Sequence, residues 1–191
     1  MIDALINYCN KHFPLSREER DFLKQHIPVR RVGKQKNLLS EGEVSTEFFF
    51  LIEGCIRLFY EVDSEEKTAF FYTEGEFVSS YESYTRQTPA RHFLQTIEAC
   101  TLAVISVELA DQMLAEFPTF AHLARLAMEE ELIIYQDILA TFITLSPEQR
   151  YRNLLARKPE LAQRVPQYLL ASYLGVAPET LSRIRNRMRE D

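Results

Sequence analysis

The fold is decided by residues 167–188, which read QYLLASYLGVAPETLSRIRNRM. Gly175 stands where a helix can end in left-handed backbone, and Pro178 stands at the first position of a second helix, where no amide hydrogen bond is lost. Ala171 is small where two crossing helices approach most closely. The apolar residues that would fill the core between the helices are Leu170, Leu174, Val176, Leu181 and Ile184. The stretch therefore predicts a helix-turn-helix.

The outward face of the second predicted helix carries polar side chains suited to a DNA major groove. Arginine pairs with guanine O6 and N7, glutamate accepts a hydrogen bond from cytosine N4, and asparagine fits adenine. The candidate DNA-binding residues are Gln167, Glu179, Thr180, Ser182, Arg183, Asn186 and Arg187. The alternative is a helical hairpin whose basic face is incidental.

Charge is distributed unevenly along the chain. Residues 1–145 contain 13 Lys and Arg against 23 Asp and Glu, whereas residues 146–191 contain 9 against 5, within a net charge of −6 for all 191 residues. This net charge argues against a protein that binds polyanions over its whole surface. A basic module at the end of an acidic body is typical of nucleic-acid contact. A solvated helical surface is the alternative interpretation.

The first 118 residues read as two helices followed by a β-rich region. Residues 3–12 and 16–26 look helical, and Ser16 with Glu19 forms a capping box. Six short runs then have the character of strands: 29–32, 47–52, 55–62, 67–73, 93–98 and 102–106. Four of the five glycines lie between residues 33 and 75, where tight turns need positive φ. Many short strands at regular spacing predict a β-roll of the jelly-roll type.

A long helix is predicted over residues 119–145, after a short helix that begins at Ser106. Its apolar residues recur at near-heptad spacing, so we expect one face to pack on the β-roll and the other on a second copy of the chain. The candidate dimer-interface residues are Ala127, Ile134 and Ile138. The alternative is a core helix of a monomer. Ser146, Pro147 and Gln149 then mark the start of a new helix and a domain boundary.

The predicted fold class is thus α+β, with a β-roll domain at 1–118, a connecting helix at 119–145 and a helix-turn-helix domain at 146–191. Cys9, Cys55 and Cys100 form neither a CxxC pair nor a disulfide framework, which favours the reducing cytoplasm. The four histidines form no HxH or HExxH motif, so we expect no metal site. No apolar run reaches the ~18 residues of a membrane span, and the first residues lack the pattern of an export signal.

This order of segments resembles the Crp/Fnr family, the cAMP receptor protein and fumarate–nitrate regulators. The motifs that carry the resemblance are FLIEG at 50–54, GEF at 75–77 and VAPETLSRI at 176–184. The resemblance implies a bacterial, homodimeric transcription regulator without enzymatic activity, whose β-roll senses a small effector. The long helix would relay the effector state to the helix-turn-helix, where Glu179 and Arg183 match the residues that read base edges.

The resemblance also implies an effector pocket. In the members that bind cyclic nucleotides, a Gly-Glu pair contacts the ribose and an Arg-Ser or Arg-Thr pair holds the phosphate. Gly75 and Glu76 match the first element, but Arg91 falls one position late and lacks the hydroxyl neighbour. Such a displacement in an extended segment turns a side chain to the other face, although a guanidinium remains a strong phosphate ligand. Tyr135 and Gln136 fall where the family contacts adenine.

Three outcomes stay open for the pocket defined by Glu76, Arg91, Tyr135 and Gln136: a cyclic nucleotide such as cAMP, another small anionic effector, or no ligand. The implied partners are double-stranded DNA and a second copy of the chain, with RNA polymerase a further candidate. The open alternatives to this function are a small-ligand-binding signalling module with vestigial DNA binding, and a β-roll enzyme.

One departure from the family concerns the segment after the recognition helix. The sequence shows no β-hairpin wing there, so we expect Arg185, Arg187 and Arg189 to replace the phosphate contacts of a wing. Glu190 and Asp191 would oppose them. DNA affinity is then expected to be weaker and steeply salt-dependent.

Overall fold

The computed structural model describes residues 1–190, with only the backbone of Arg189 and Glu190. Over these residues the helices are α1 (Asp3–His12), α2 (Arg17–His26), α3 (Tyr81–Arg86), α4 (Val107–Glu116), α5 (Pro118–Thr144), α6 (Pro147–Arg157), α7 (Leu161–Arg164), α8 (Gln167–Tyr173) and α9 (Pro178–Glu190). The strands are β1 (Val29–Val32), β2 (Asn37–Leu39), β3 (Glu47–Glu53), β4 (Ile56–Val62), β5 (Glu65–Tyr72), β6 (Phe77–Val78), β7 (Phe93–Thr96) and β8 (Cys100–Ser106).

The chain packs as two compact units. The first contains Met1–Leu58 and Phe71–Glu130, and the second contains Phe59–Phe70 together with the chain from Glu131 onward. The second unit therefore includes the tip of the β4–β5 hairpin as well as α6 to α9.

The strands form two four-stranded sheets, in the orders β1-β8-β3-β6 and β2-β7-β4-β5. Strand β8 pairs antiparallel with both β1 and β3, and Phe50 lies opposite Ala103. The turn between β4 and β5 has two residues, Asp63 and Ser64, with φ of 53° and 62°, as a tight hairpin turn requires. The predicted jelly roll followed by helices is confirmed.

The helices of the first unit pack on one sheet through a shared apolar core. Phe50, Ala103 and Ile105 supply the sheet side of this core. The helices supply Leu5, Ile6, Cys9, Phe22, Leu23, Met113, Phe120 and Leu123. The capping box of Ser16 and Glu19 is present at α2 as predicted, because each residue's side chain bonds the other's backbone amide.

The second unit contains the predicted helix-turn-helix. Helix α8 ends before Gly175, whose φ of +68° lies in the left-handed region that glycine favours, and α9 begins at Pro178. Leu170, Leu174, Leu181 and Ile184 are buried, whereas Val176 is only partly buried. The capping box of Ser146 and Gln149, with Pro147 at the first turn, starts α6 as the sequence indicates.

The structure contains short elements that no sequence pattern predicted, among them strands β2 and β6 and helix α3. The charged residue Arg57 of β4 is buried, with only 3% of its surface exposed. Its Nε and Nη2 donate to Gln95 Oε1 of β7 at 3.0 and 2.6 Å, which offsets the cost of burying a cation. Across residues 1–190, no helix is long and apolar enough to span a membrane.

Candidate nucleic-acid interface and effector region

Helix α9 presents the predicted reading face to solvent. Glu179, Arg183, Asn186 and Arg187 are exposed, while Thr180 and Ser182 are partly buried. The periodicity that buries Leu181 and Ile184 against α8 places these polar residues on the opposite face. The guanidinium of Arg183 donates to Thr180 Oγ1 at 3.2 Å. This face offers both acceptors and donors to a ligand that reaches along the helix.

Two further contacts surround this reading face. Arg187 Nη1 lies 3.6 Å from a carboxylate oxygen of Glu148 at the start of α6. Gln167, at the first position of α8, donates from Nε2 to the carbonyl of Pro178 at 3.3 Å and so ties the start of α8 to the start of α9. Arg185 is partly buried. The side chains of Arg189, Glu190 and Asp191, which were expected to affect phosphate contacts, lie outside the described residues.

Helix α8 also contacts the β4–β5 hairpin. The hydroxyl of Ser172 accepts from the amide of Thr68 at 2.9 Å and donates to the carbonyl of Glu66 at 3.1 Å. Strand β5 is at the edge of its sheet, where backbone groups lack a strand partner, and Ser172 satisfies two of them. On the same hairpin, Phe70 packs its ring 5.7 Å from that of Tyr135 and 5.5 Å from the ammonium of Lys158.

Glu76, the candidate ribose ligand, bonds within its own turn. Its Oε2 accepts from the backbone amide of Thr73 at 2.6 Å and from the Thr73 hydroxyl at 3.3 Å. Gly75, with φ of +87°, makes the turn possible. Leu51 of β3 donates its amide to the Glu76 carbonyl and accepts from the Gly75 amide. The carboxylate therefore stabilises the β5–β6 turn.

Arg91, the candidate phosphate ligand, forms an ion pair with Glu82 of α3 at 2.5 Å. Both side chains are well exposed, with 77% and 47% of their surface accessible. Next to this pair, burial and then the charge of Arg91 lower the pKa of His92 below its usual value. Glu82 also pairs with Arg86 of α3 at 3.2 Å, so two arginines share one carboxylate in this segment.

The remaining two candidate effector residues lie on α5 in the second unit. Tyr135 donates its hydroxyl to Glu131 at 2.7 Å, and Gln136 is exposed. Glu76 and Arg91 belong to the first unit. The proposed assignment of these four residues to one pocket stays a prediction.

Sequence reasoning missed the partner of Arg91, because α3 is only six residues long and was not predicted. Gln87 follows α3 with φ of +52° and donates to the carbonyl of Ser45, which fixes the segment that carries Arg91. No pattern in six residues could have shown that pairing. Among the described residues, no group of three or more His, Cys, Asp or Glu could hold a metal ion.

Comparison with known proteins assigns the central part of the chain. Residues 29–117 match the family model of the cyclic nucleotide-binding domain. No curated protein sequence matches this chain.

Three solved structures show where the fold has been seen. The chain is similar to the c-di-GMP-responsive global regulator CLP of Xanthomonas campestris, with a TM-score of 0.73, 20% identity, and coverage of 92% of this chain and 93% of that one. It is similar to FixK2 of Bradyrhizobium japonicum, with a TM-score of 0.75, 13% identity, and coverage of 86% and 85%. A transcriptional regulator of the Crp/Fnr family from Eubacterium rectale matches with a TM-score of 0.70, 13% identity, and coverage of 96% and 88%.

These matches define the fold of the chain. Residues 29–117 match the model of the cyclic nucleotide-binding domain, and the chain as a whole has the fold of the Crp/Fnr transcription regulators. The resemblance predicted from FLIEG, GEF and VAPETLSRI is confirmed.

Proposed function

We propose that the protein is a transcription regulator that binds double-stranded DNA in a sequence-specific manner through α9. The observation that carries this proposal is the exposed polar face of α9 on the helix-turn-helix, with Glu179, Arg183 and Asn186 on one side. These side-chain types match the groups that bases expose in the major groove. The fold shared with CLP and with the Eubacterium regulator supports the same role. An enzymatic activity is not part of the proposal.

The protein acts as a homodimer joined along α5. The helix exposes large apolar side chains at heptad spacing: Met128, Leu132, Tyr135, Leu139 and Phe142. Leu132 and Leu139 are 56% and 62% exposed, which is unusual for leucines unless another helix covers them. Of the predicted interface residues, Ile134 is 39% exposed, and Ala127 and Ile138 are partly buried. Ile138 lies beside the α5 seam, three residues from Tyr135 and four from Phe142, whereas Ala127 and Ile134 lie on another side of the helix. The role of all three in the interface remains a prediction.

A two-fold axis along α5 gives the dimer two reading faces. Helix-turn-helix dimers contact half-sites about 34 Å apart along the duplex, which is one helical turn. The preferred site is therefore an inverted repeat.

The β-roll senses a small anionic effector, which reaches Arg91 once that residue exchanges Glu82 for the ligand. Cyclic nucleotides remain the first class to test, because the family model is that of their binding domain. CLP is described as responsive to c-di-GMP, so cyclic dinucleotides form the second class. RNA polymerase is the partner through which the bound regulator acts on transcription.

The test is selection of bound duplexes from a random pool by the full chain, in parallel without ligand, with cAMP and with c-di-GMP. We expect enrichment of an inverted repeat whose half-sites are about 10 base pairs apart, centre to centre. Failure to enrich any sequence under all three conditions contradicts the proposal, and the alternative of a signalling module with vestigial DNA binding then takes its place. Enrichment that is the same in all three conditions retains DNA binding and excludes these two effectors.

A further inference from the structure

Arg150 of α6 joins three parts of the second unit. Its Nε donates to the carbonyl of Leu174 at 3.1 Å, and its Nη1 donates to the carbonyl of Leu145 at 3.1 Å. Its guanidinium carbon lies 4.9 Å from the centre of the Phe142 ring. One side chain thereby contacts the last turn of α5, the residue that follows α5, and the turn between α8 and α9.

The two carbonyls that Arg150 binds lie where helices end. Leu145 follows the last residue of α5, and Leu174 follows the last residue of α8. The final carbonyls of a helix lack partners within it, and they favour a nearby cation. A single guanidinium with donors in a fixed planar arrangement can satisfy both carbonyls at once, whereas a lysine ammonium has no such geometry. The angle between α5 and α8 is therefore tied to the position of Arg150.

The space at the turn confirms how tightly the three parts meet. A Cβ at Gly175 would lie 3.2 Å from the Phe142 ring and 3.9 Å from the Arg150 guanidinium. Phe142 is also the last member of the exposed α5 seam. The same ring thus contacts Arg150 and lies in the surface proposed to meet a second copy.

We propose that Arg150 is a positioning residue that fixes the α8–α9 reading pair on the end of α5, so that packing of the α5 seam sets the direction of the reading face. This inference rests on the proposed function for its consequence, since the direction of α9 decides whether two half-sites are reached together. It adds a role for a residue that touches neither DNA nor effector. Leu170, Leu181 and Ile184 are buried in the α8–α9 core, so we expect this pair to stay folded when Arg150 is changed.

The first test measures the α5–α8 geometry directly. Spin labels are placed at Ala140→Cys and Tyr168→Cys, both exposed sites within the second unit. Labelled chains are diluted with unlabelled protein, so that only the distance between the two labels of one chain is measured. Cys9, Cys55 and Cys100 are buried and remain unlabelled. We expect a single narrow distance distribution for the natural protein and a broadened one for Arg150→Met.

Arg152→Met is the matched control. Arg152 lies on the same helix and pairs with Glu148 at 3.0 Å, so this change removes the same charge without touching the turn. It is expected to leave the distribution narrow. Equal distributions for the natural protein and Arg150→Met overturn the inference, as do equal broadenings for Arg150→Met and Arg152→Met. If Arg150→Met does not fold, Arg150→Lys decides: it keeps the charge, and a distribution as narrow as that of the natural protein overturns the inference.

The second test measures coupling on the selected DNA site. Arg150→Met is expected to weaken binding about tenfold and Phe142→Leu by less, within the range seen for residues that couple two sites. The double variant is expected to bind no more weakly than Arg150→Met alone, because the two residues act through one contact. Additive losses contradict this. The label distances need no DNA, so they test Arg150 even if the natural protein binds no site and the proposed function fails.

Discussion

The reading face of α9 and the effector region of the β-roll carry similar side chains but engage them differently. On α9, Arg183 donates to a neighbouring threonine hydroxyl and remains exposed. In the β-roll, Glu76 accepts two hydrogen bonds from Thr73, and Arg91 is paired with a carboxylate. Arg183 is thus available to a polyanion, whereas Glu76 and Arg91 have partners within the chain.

The energies of these contacts decide how much the difference matters. An exposed ion pair such as Arg91 with Glu82 contributes about 0–1 kcal/mol, so a ligand phosphate can displace the carboxylate at little cost. The bonds from Thr73 to Glu76 are partly buried, and a ligand that took this carboxylate would leave a backbone amide without an acceptor. A ribose contact to Glu76, which the family resemblance implies, therefore costs more free energy than a phosphate contact to Arg91.

The largest expected effect concerns dimerisation, which gives the protein two reading faces. Leu139→Glu places a charge in the α5 seam and is expected to give monomers in sedimentation analysis. Loss of the second half-site then lowers affinity for the selected inverted repeat by about 10²-fold or more, since linked sites gain that much from avidity. Ala140→Glu, one residue further on α5 and outside the heptad positions, is the control and should remain dimeric. A dimeric Leu139→Glu would place the interface elsewhere.

The next effect separates base reading from phosphate contact on α9. Arg183→Ala is expected to lower affinity for the selected site by roughly 1–3 kcal/mol and to relax the preference at one base pair. Arg187→Ala should weaken binding to all sequences alike and reduce the slope of log K against log salt by about one. Titrations of specific and random duplexes at several salt concentrations measure both quantities. Equal affinity of the natural protein and Arg183→Ala for the selected site would contradict the assignment of Arg183 to base reading.

The contrast between the two regions also explains what the sequence could predict. The helix-turn-helix depends on signals within about twenty residues: a glycine at the left-handed position, a proline at the helix start and apolar residues at helical spacing. Gly175 supplies the left-handed residue of the turn and Pro178 the first residue of α9, and the structure has both. The capping boxes at Ser16 and Ser146 were predictable for the same reason.

The effector region depends on contacts that no local pattern carries. Strand β6 has two residues and strand β2 has three, too few to show a periodicity. The burial of Arg57 rests on Gln95, which lies 38 residues away in the sequence. The pairing of Arg91 with Glu82 needs the α3 helix and the segment after it to fold back. Side chains in such a region are placed by the tertiary structure, so the motif Gly75-Glu76 alone could not define a pocket.

The smallest effect tests whether the effector region is available to anions. Glu82→Gln removes the carboxylate that pairs with Arg91 while keeping the length of the side chain. Because the exposed pair contributes about 0–1 kcal/mol, affinity for cAMP or c-di-GMP should rise by no more than about fivefold, as measured by calorimetry on the full chain.

Glu41→Gln is the control for Glu82→Gln, since Glu41 is exposed and the same charge is lost. If affinity for the nucleotide rises in Glu82→Gln but not in Glu41→Gln, and adding Arg91→Ala to Glu82→Gln removes the rise, the phosphate contact is assigned to Arg91. If Glu82→Gln leaves affinity unchanged while the natural protein binds the nucleotide, Arg91 does not hold the phosphate, and the one-position displacement of this arginine has moved it out of the site. The β-roll would then bind its ligand through other groups, and the difference between the two regions would lie in the position of the arginine rather than in its partner.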